Sequence, residues 1–261
     1  MINKEKFAQH IKDLATRELV SKVLDKIEIV IKNHEIKYTD FLNPYEQKSV
    51  IEVVNAFPEL KVSSFGGYLE SERKVLAIYQ DYLTPELIET PISAIEIKTR
   101  AEQKINHRDV LGAALGLGIK REKVGDILIH EDCFQIIVNK SLEDFIIFNL
   151  NKIGKAEVEA KSIDFNKVKP VEAEYKSIVG FLASLRLDAV VSFAFKISRS
   201  EAQSLIGKER VTVNWEQISK NDYIIDTGDI ITLRGKGRAK IEEIGGRTKS
   251  DRIKVVIKKL I

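Results

Sequence analysis

The residues best equipped for chemistry crowd into the last third of the chain. Ser198-Arg199-Ser200-Glu201 has the spacing of a capping box, in which the serine hydroxyl accepts from the backbone three residues on and Glu201 reaches back to the serine N–H. A helix is expected to start there. Arg199 is an odd choice for that position, because a cation in a first turn opposes the helix macrodipole. A docked anion would account for it, since free N–H groups and a bidentate guanidinium both suit phosphate oxygens; an ordinary exposed arginine is the plain alternative. Further on, Arg234, Lys236, Arg238 and Lys240 recur at every second residue, alternating with Gly235, Gly237 and Ala239. If this stretch is extended, all four cations project from one face of a slim ribbon that another backbone can approach closely. The other reading is a solvated basic face. Arg247 and Lys249 fall in the loop that follows, and Ile253, Val255 and Ile257 then alternate with Arg252, Lys254 and Lys258.

Net charge is only +3 over 261 residues, but it is unevenly spread. Residues 181–261 hold 16 Lys/Arg against 10 Asp/Glu, and the remainder 26 against 29. From Arg234 onward there are ten basic and three acidic residues, which points to a polyanion partner. The single cysteine, Cys133, excludes an intramolecular disulfide framework and a thiolate-rich zinc site. With four scattered histidines and no HExxH, GxSxG or GxxxxGK[ST] motif, neither a metal nor a cofactor is expected. His107-Arg108-Asp109 has the letters of a kinase catalytic loop, but the downstream Asn and the Asp-Phe-Gly element are missing. No apolar run approaches the roughly 18 residues needed to span a bilayer, and a soluble cytoplasmic protein without membrane partners is expected.

The elements that must position these residues follow from periodicity. Apolar spacing in residues 4–33 predicts two amphipathic helices, and Asn43-Pro44 starts a third that runs toward Phe57-Pro58. A hairpin is read from Leu60–Phe65 and Val75–Tyr79. Then come strand (Ile92–Lys98), helix (Arg108–Leu117), two strands (Asp126–His130, Phe134–Val138), helix (Leu142–Leu150) and strand (Ala156–Ile163), the ferredoxin-like order. RNA-recognition modules share that order, yet the strand Phe134–Val138 lacks their stacking aromatics and basic residues. Lys169-Pro170 suggests a connector. Helices over Leu182–Phe195 and Arg199–Ile206 and strands near Val211–Asn214, Ile230–Arg234 and Ile253–Ile257 complete the chain. The fold class is α+β, with a helical segment (1–59), a ferredoxin-like domain (60–165), a connector (166–180) and a basic C-terminal domain (181–261).

Leu185-Arg186-Leu187-Asp188, Ser198-Arg199, Ala202, Leu205-Ile206, Val211-Thr212-Val213-Asn214 and Gly228-Asp229-Ile230 resemble, in order, the S-four RNA-binding domain. That resemblance implies a compact αL fold gripping structured RNA. It implies an RNA face made of Arg186, Lys196, Arg199, Gln203, Lys208 and Arg210, with Asn214 shaping a turn. Upstream, Thr39–Leu42, Gly66-Gly67-Tyr68 with Glu72-Arg73-Lys74, and His107–Gly112 with Gly118–Glu122 and Gly125–Ile127 are similar to the bacterial YlmH family. The family implies a non-catalytic factor of large-subunit binding and stalled-ribosome quality control, with ribosomal RNA, alone or together with transfer RNA, as partner. Asp251 departs from the small or basic residue usual in the family at that point. Asn106 and Asp109 can cap a helix, while His107, Arg108, Lys120 and Arg121 flank its ends as a possible second RNA contact. Trp215 reads as a packing residue. The enzymatic rival is an RNA modifier of the pseudouridine synthase type, whose catalytic motif Arg186-Leu187-Asp188 partly resembles; Leu185 stands where that motif has Gly, and Asp188 is read instead as an orienting partner for nearby basic residues. The third class is an assembly factor that docks a protein through its N-terminal helices.

Overall fold

The computed structural model describes residues 2–4, 7, 11, 13–99, 105–171 and 174–260. The chain forms two compact units, Met1–Val171 and Glu172–Ile261. Of the two helices expected before residue 34, the first lies largely outside the described residues. The second is α1 (Leu14–Asn33), which starts where Asp13 accepts from the Thr16 N–H at 2.7 Å and buries Val20, Val23, Leu24, Ile27 and Val30 at helical spacing. β1 (Lys37–Tyr38) follows, then α2 (Pro44–Val54), whose capping box is complete between Asn43 and Glu46. The hairpin strands β2 (Leu60–Phe65) and β3 (Val75–Gln80) pair with each other, and β3 also pairs with β1. This three-stranded sheet shares one core with α1 and α2 through Leu60, Leu76 and Ile78, while Phe65 and Val75 of the same hairpin pack with the ferredoxin-like sheet.

The ferredoxin-like part runs β4 (Ile92–Thr99), α3 (His107–Gly116), β5 (Val124–Ile129), β6 (Phe134–Asn139), α4 (Glu143–Asn149), the short β7 (Lys152–Ile153) and β8 (Ala156–Ile163). Its sheet is antiparallel, in the order β5-β6-β4-β8-β7. One face buries Ile95, Ile97, Phe134, Ile136 and Val138 with Val110 and Ala114 of α3 and Ile146 of α4. The opposite face, which RNA-recognition modules leave open, is closed. Ala94, Leu128 and Ile137 pack there against Phe41 and Val75, with Phe65 and Tyr68 beside them. Phe165 and Val168 cover the same face, and Gln135 fastens that segment by donating to the Lys167 carbonyl at 3.1 Å and accepting from the Lys169 N–H at 2.9 Å.

The C-terminal unit is a six-stranded antiparallel sheet backed by two helices. Its elements are β9 (Tyr175–Leu182), α5 (Leu187–Phe195), α6 (Arg199–Gly207), β10 (Val211–Val213), β11 (Glu216–Gln217), β12 (Ile230–Leu233), β13 (Gly237–Arg247) and β14 (Ile253–Leu260), in sheet order β11-β10-β12-β13-β14-β9. β9 begins inside the stretch read as connector and ends at Leu182, where the apolar pattern predicts a helix start. Eight residue pairs with β14 hold it. The helix begins only at Leu187, after Leu187 and Ile225 have tied the preceding residues to the 223–225 segment through backbone bonds. Gly180 lies under the ring of Phe193 on α5: a Cβ there would fall 2.1 Å from it.

Candidate nucleic-acid interface

Asp188, in the first turn of α5, is the anchor of the basic surface. Its side chain is 0% exposed. Arg199, the first residue of α6, donates from Nε to Oδ2 at 3.0 Å and from a terminal nitrogen to Oδ1 at 3.2 Å. Gln203, one turn further along α6, donates to Oδ2 at 2.7 Å, and Arg186 reaches Oδ1 at 3.4 Å. Burial alone would push the Asp188 carboxyl up, but these hydrogen bonds and the two guanidinium charges outweigh it and hold the carboxyl below the usual carboxylate range. The anion that Arg199 demands is thus internal, and it offsets the cation at the helix N-terminus. Arg199 keeps 54% of its side-chain surface and Arg186 42%, so both guanidiniums are fixed by their inner edges while their outer edges face solvent.

Only half of the expected capping box forms. Ser198 accepts from the Glu201 N–H at 3.1 Å, whereas the Glu201 carboxylate turns to Lys236 at 3.9 Å. Nor do the four alternating cations make one stripe. Arg234, Gly235 and Lys236 form the tight turn between β12 and β13, with Gly235 at φ 90° and Gly237 at φ 95°, a backbone open to glycine. Only Arg238 and Lys240 lie in the strand. Arg238 stands over the ring of half-buried Trp215 at 5.4 Å, a cation–π contact. The turn lies along α6: Lys236 reaches Glu201 at its start, and the Arg234 N–H donates to the Arg210 carbonyl beyond its end at 3.0 Å. Arg199, Lys236, Arg234 and Arg210 are thereby brought along one helix, with exposed Lys208 at the helix end and exposed Lys196, at φ 52°, in the α5–α6 turn.

Asn214 sits in a two-residue hairpin turn with Trp215, both at positive φ (50° and 66°) as a type I′ turn requires. Its amide donates to Asp229 at 2.8 Å and accepts from the Ile230 N–H at 2.9 Å, tying the turn to β12. Arg247 lies not in the loop but at the end of β13, opposite Ile253, and is paired with Asp251 at 2.7 Å, so the residue that departs from the family's usual choice offsets this cation; Lys249 is exposed beside it in the turn.

The second set of basic residues does not converge. His107 and Arg108 begin α3, and Lys120 and Arg121 follow its other end, about 15 Å away for a ten-residue helix. Asn106 and Asp109 form a complete capping box, as helix-capping alone would have it. Arg121 is structural: it donates to the Val124 carbonyl at 2.5 Å, an oxygen that also accepts from Arg73 at 3.2 Å. Burial, and then the like charge of Arg73, pull Arg121 down to about 10. Beside them Asp126 accepts from the Tyr68 hydroxyl at 2.8 Å and the N–H groups of Glu72 and Arg73 at 2.7 and 3.1 Å. Arg73 also donates to the Phe41 carbonyl at 2.7 Å, and a Cβ on Gly125 would come within 2.6 Å of the Phe41 ring. The sequence alone gives these residues a family resemblance but no role; in the structure they lock the N-terminal helices and hairpin to the ferredoxin-like sheet. No local pattern could reveal it, since Asp126 and its partners are more than fifty residues apart.

Three family models match between residues 15 and 231: "YlmH, N-terminal" over residues 15–83, the "Putative RNA-binding domain in YlmH" over 85–167, and the S4 domain over 185–231. A relative from Bacillus subtilis, ribosome-associated protein quality control protein P2, is 32% identical over 244 residues, which are 93% of this chain and 95% of that protein. The chain belongs to the YlmH family. A solved structure of the family, cell division protein ylmH from Streptococcus pneumoniae, superposes with a TM-score of 0.54 at 28% identity, covering 60% of this chain and 96% of that one. Outside the family, small ribosomal subunit protein uS4 from Variovorax paradoxus is 36% identical over 59 residues, 22% of this chain and 28% of that protein.

Proposed function

We propose that this YlmH-family chain is a non-catalytic factor that binds structured ribosomal RNA on the large ribosomal subunit, close to transfer RNA, in cytoplasmic quality control of stalled translation. The observation that carries the reading is the Asp188 cluster. It presents Arg186 and Arg199 as pre-oriented guanidinium forks beside the cationic Arg234–Lys236 turn, a geometry suited to phosphates of a folded RNA whose base edges are hidden. The Bacillus relative's association with ribosomes supports the choice of partner. A pseudouridine synthase role fits poorly, because Asp188 has no exposed side-chain surface and both its oxygens are occupied. Binding would act by favouring one state of the ribosome through differential affinity.

The test is salt-titrated sedimentation with separated ribosomal subunits. Large-subunit binding by the wild type should disappear or shift to lower salt in an Arg199→Gln/Arg234→Gln/Lys236→Gln variant, with the salt slope shallower by about 0.7 for each phosphate no longer neutralised, as for single strands. Absence of binding to either subunit at low salt, with and without transfer RNA, would overturn the reading.

A further inference from the structure

The C-terminal sheet has a second face, and one end of it carries a hollow that the phosphate-binding reading leaves unused. Because Gly180 faces α5, its neighbours Val179 and Phe181 point to the opposite side of β9, away from both helices. Phe181 is 51% exposed there, an aromatic ring on an open surface. It lines a shallow hollow of about 380 Å³ together with Thr248, Ser250 and Arg252. Lys254 stands directly across from Phe181 on β14. The rim is held in place by its own turn. The Thr248 hydroxyl lies 3.0 Å from that of Ser250 and accepts from the Arg252 N–H at 3.2 Å, while the Thr248 N–H donates to the Arg252 carbonyl at 2.8 Å. Lys254 approaches Glu243 at 3.8 Å, and among the described residues no carboxylate is paired with Arg252.

We propose that this hollow receives an unpaired nucleobase of the bound RNA, stacked on the Phe181 ring, with the Thr248 and Ser250 hydroxyls at the base edge and Arg252 and Lys254 on the flanking phosphates. An aromatic platform bordered by cations is the general solution for single-stranded nucleic acid, since every base has a π-face and every nucleotide a charge. The local excess of positive charge favours RNA over an apolar protein segment. The inference rests on the RNA-binding reading but concerns a different face: the helices would hold folded RNA, and this hollow a nucleotide that leaves the fold.

The test compares two RNAs, a hairpin with an unpaired oligoadenosine tail and the same hairpin blunt, by fluorescence anisotropy with the full chain. The wild type should bind the tailed hairpin about 5- to 150-fold more tightly, the range that one stacked base gives. Phe181→Leu should erase the difference, Phe181→Trp retain it, and Arg252→Gln reduce it, with binding to the blunt hairpin unchanged in all three. If Phe181→Leu does not fold, the exposed Arg252→Gln variant and ultraviolet cross-linking of the tail to the Phe181 peptide decide the matter. Equal wild-type affinity for both RNAs, or an undiminished tail preference in the folded variants, overturns the inference alone. Phe181→Leu variants that bind both RNAs normally but no longer sediment with ribosomes would assign the face to a protein and overturn it too. A wild type that binds neither RNA removes the RNA-binding reading itself.

Discussion

Replacing Asp188 with Asn separates positioning from simple charge. The substitution is nearly isosteric, but it removes the acceptor charge and turns an N–H toward guanidiniums that can only donate. Breaking a buried ion pair from one side costs about 3–5 kcal/mol. Here the arginines are more than a third exposed, so water recovers part of that loss, and about 2–3 kcal/mol remains for the C-terminal unit. For a unit of this size the midpoint of thermal unfolding should fall by about 10–20 °C. The pH dependence has a definite sign. Folding lowers the Asp188 pKa, so its contribution is complete above the unfolded value near 4 and drains away as pH falls through the folded value. The variant should therefore show a flatter acid limb than the wild type below about pH 4. RNA affinity then gives the decisive contrast. On charge alone the variant, one unit more positive, should bind RNA more tightly; if Asp188 orients Arg186 and Arg199, binding should weaken at temperatures where the unit is folded. A variant as stable as the wild type, or one that binds RNA more tightly, would refute the anchoring role.

Other perturbations reach the remaining joints of the fold. Gly180→Ala should destabilise the C-terminal unit by about 1–3 kcal/mol through its clash with Phe193, and Phe193→Leu should recover most of that loss in a double-mutant cycle read by urea unfolding. Asp126→Asn should raise hydrogen exchange at the Glu72 and Arg73 amides well above that of the β2–β3 ladder; unchanged protection there would argue against the Asp126 joint. Burial, with Asp132 and Glu96 adding to it, pushes the Cys133 thiol up to about 11, so native protein should react with a thiol reagent at about pH 7.5 far more slowly than urea-unfolded protein, as an absorbance time course would show.

Much of the fold was legible because its signals are local. The Asn43-Pro44 helix start, the strand run Ile92–Lys98 and the apolar spacing of Val23, Leu24, Ile27 and Val30 each need only a window of a few residues, and each element formed where its pattern places it. β9 escaped because its outer row, Tyr175, Ser177, Val179 and Phe181, is apolar enough to blur the alternation, and its pairing partner lies some eighty residues downstream. The cationic ribbon misled for a different reason: alternation with glycine describes a strand and a glycine turn equally well, and only the Thr232–Arg238 register distinguishes them. At the candidate interface, the spacing around Arg199 left a docked anion and a plain exposed arginine equally open, because the carboxylate that meets it, Asp188, lies eleven residues earlier on a different helix.

The closed face of the ferredoxin-like sheet bears on how the central region can be studied in isolation. A fragment cut at 85–167 would strip Phe41, Phe65, Tyr68 and Val75 from that sheet and leave Ala94, Leu128 and Ile137 bare. Such a fragment should clump and cling to hydrophobic dyes, as naked apolar surface does. Affinity recorded with it would measure the wound, whereas the compact unit Met1–Val171 carries its own dressing.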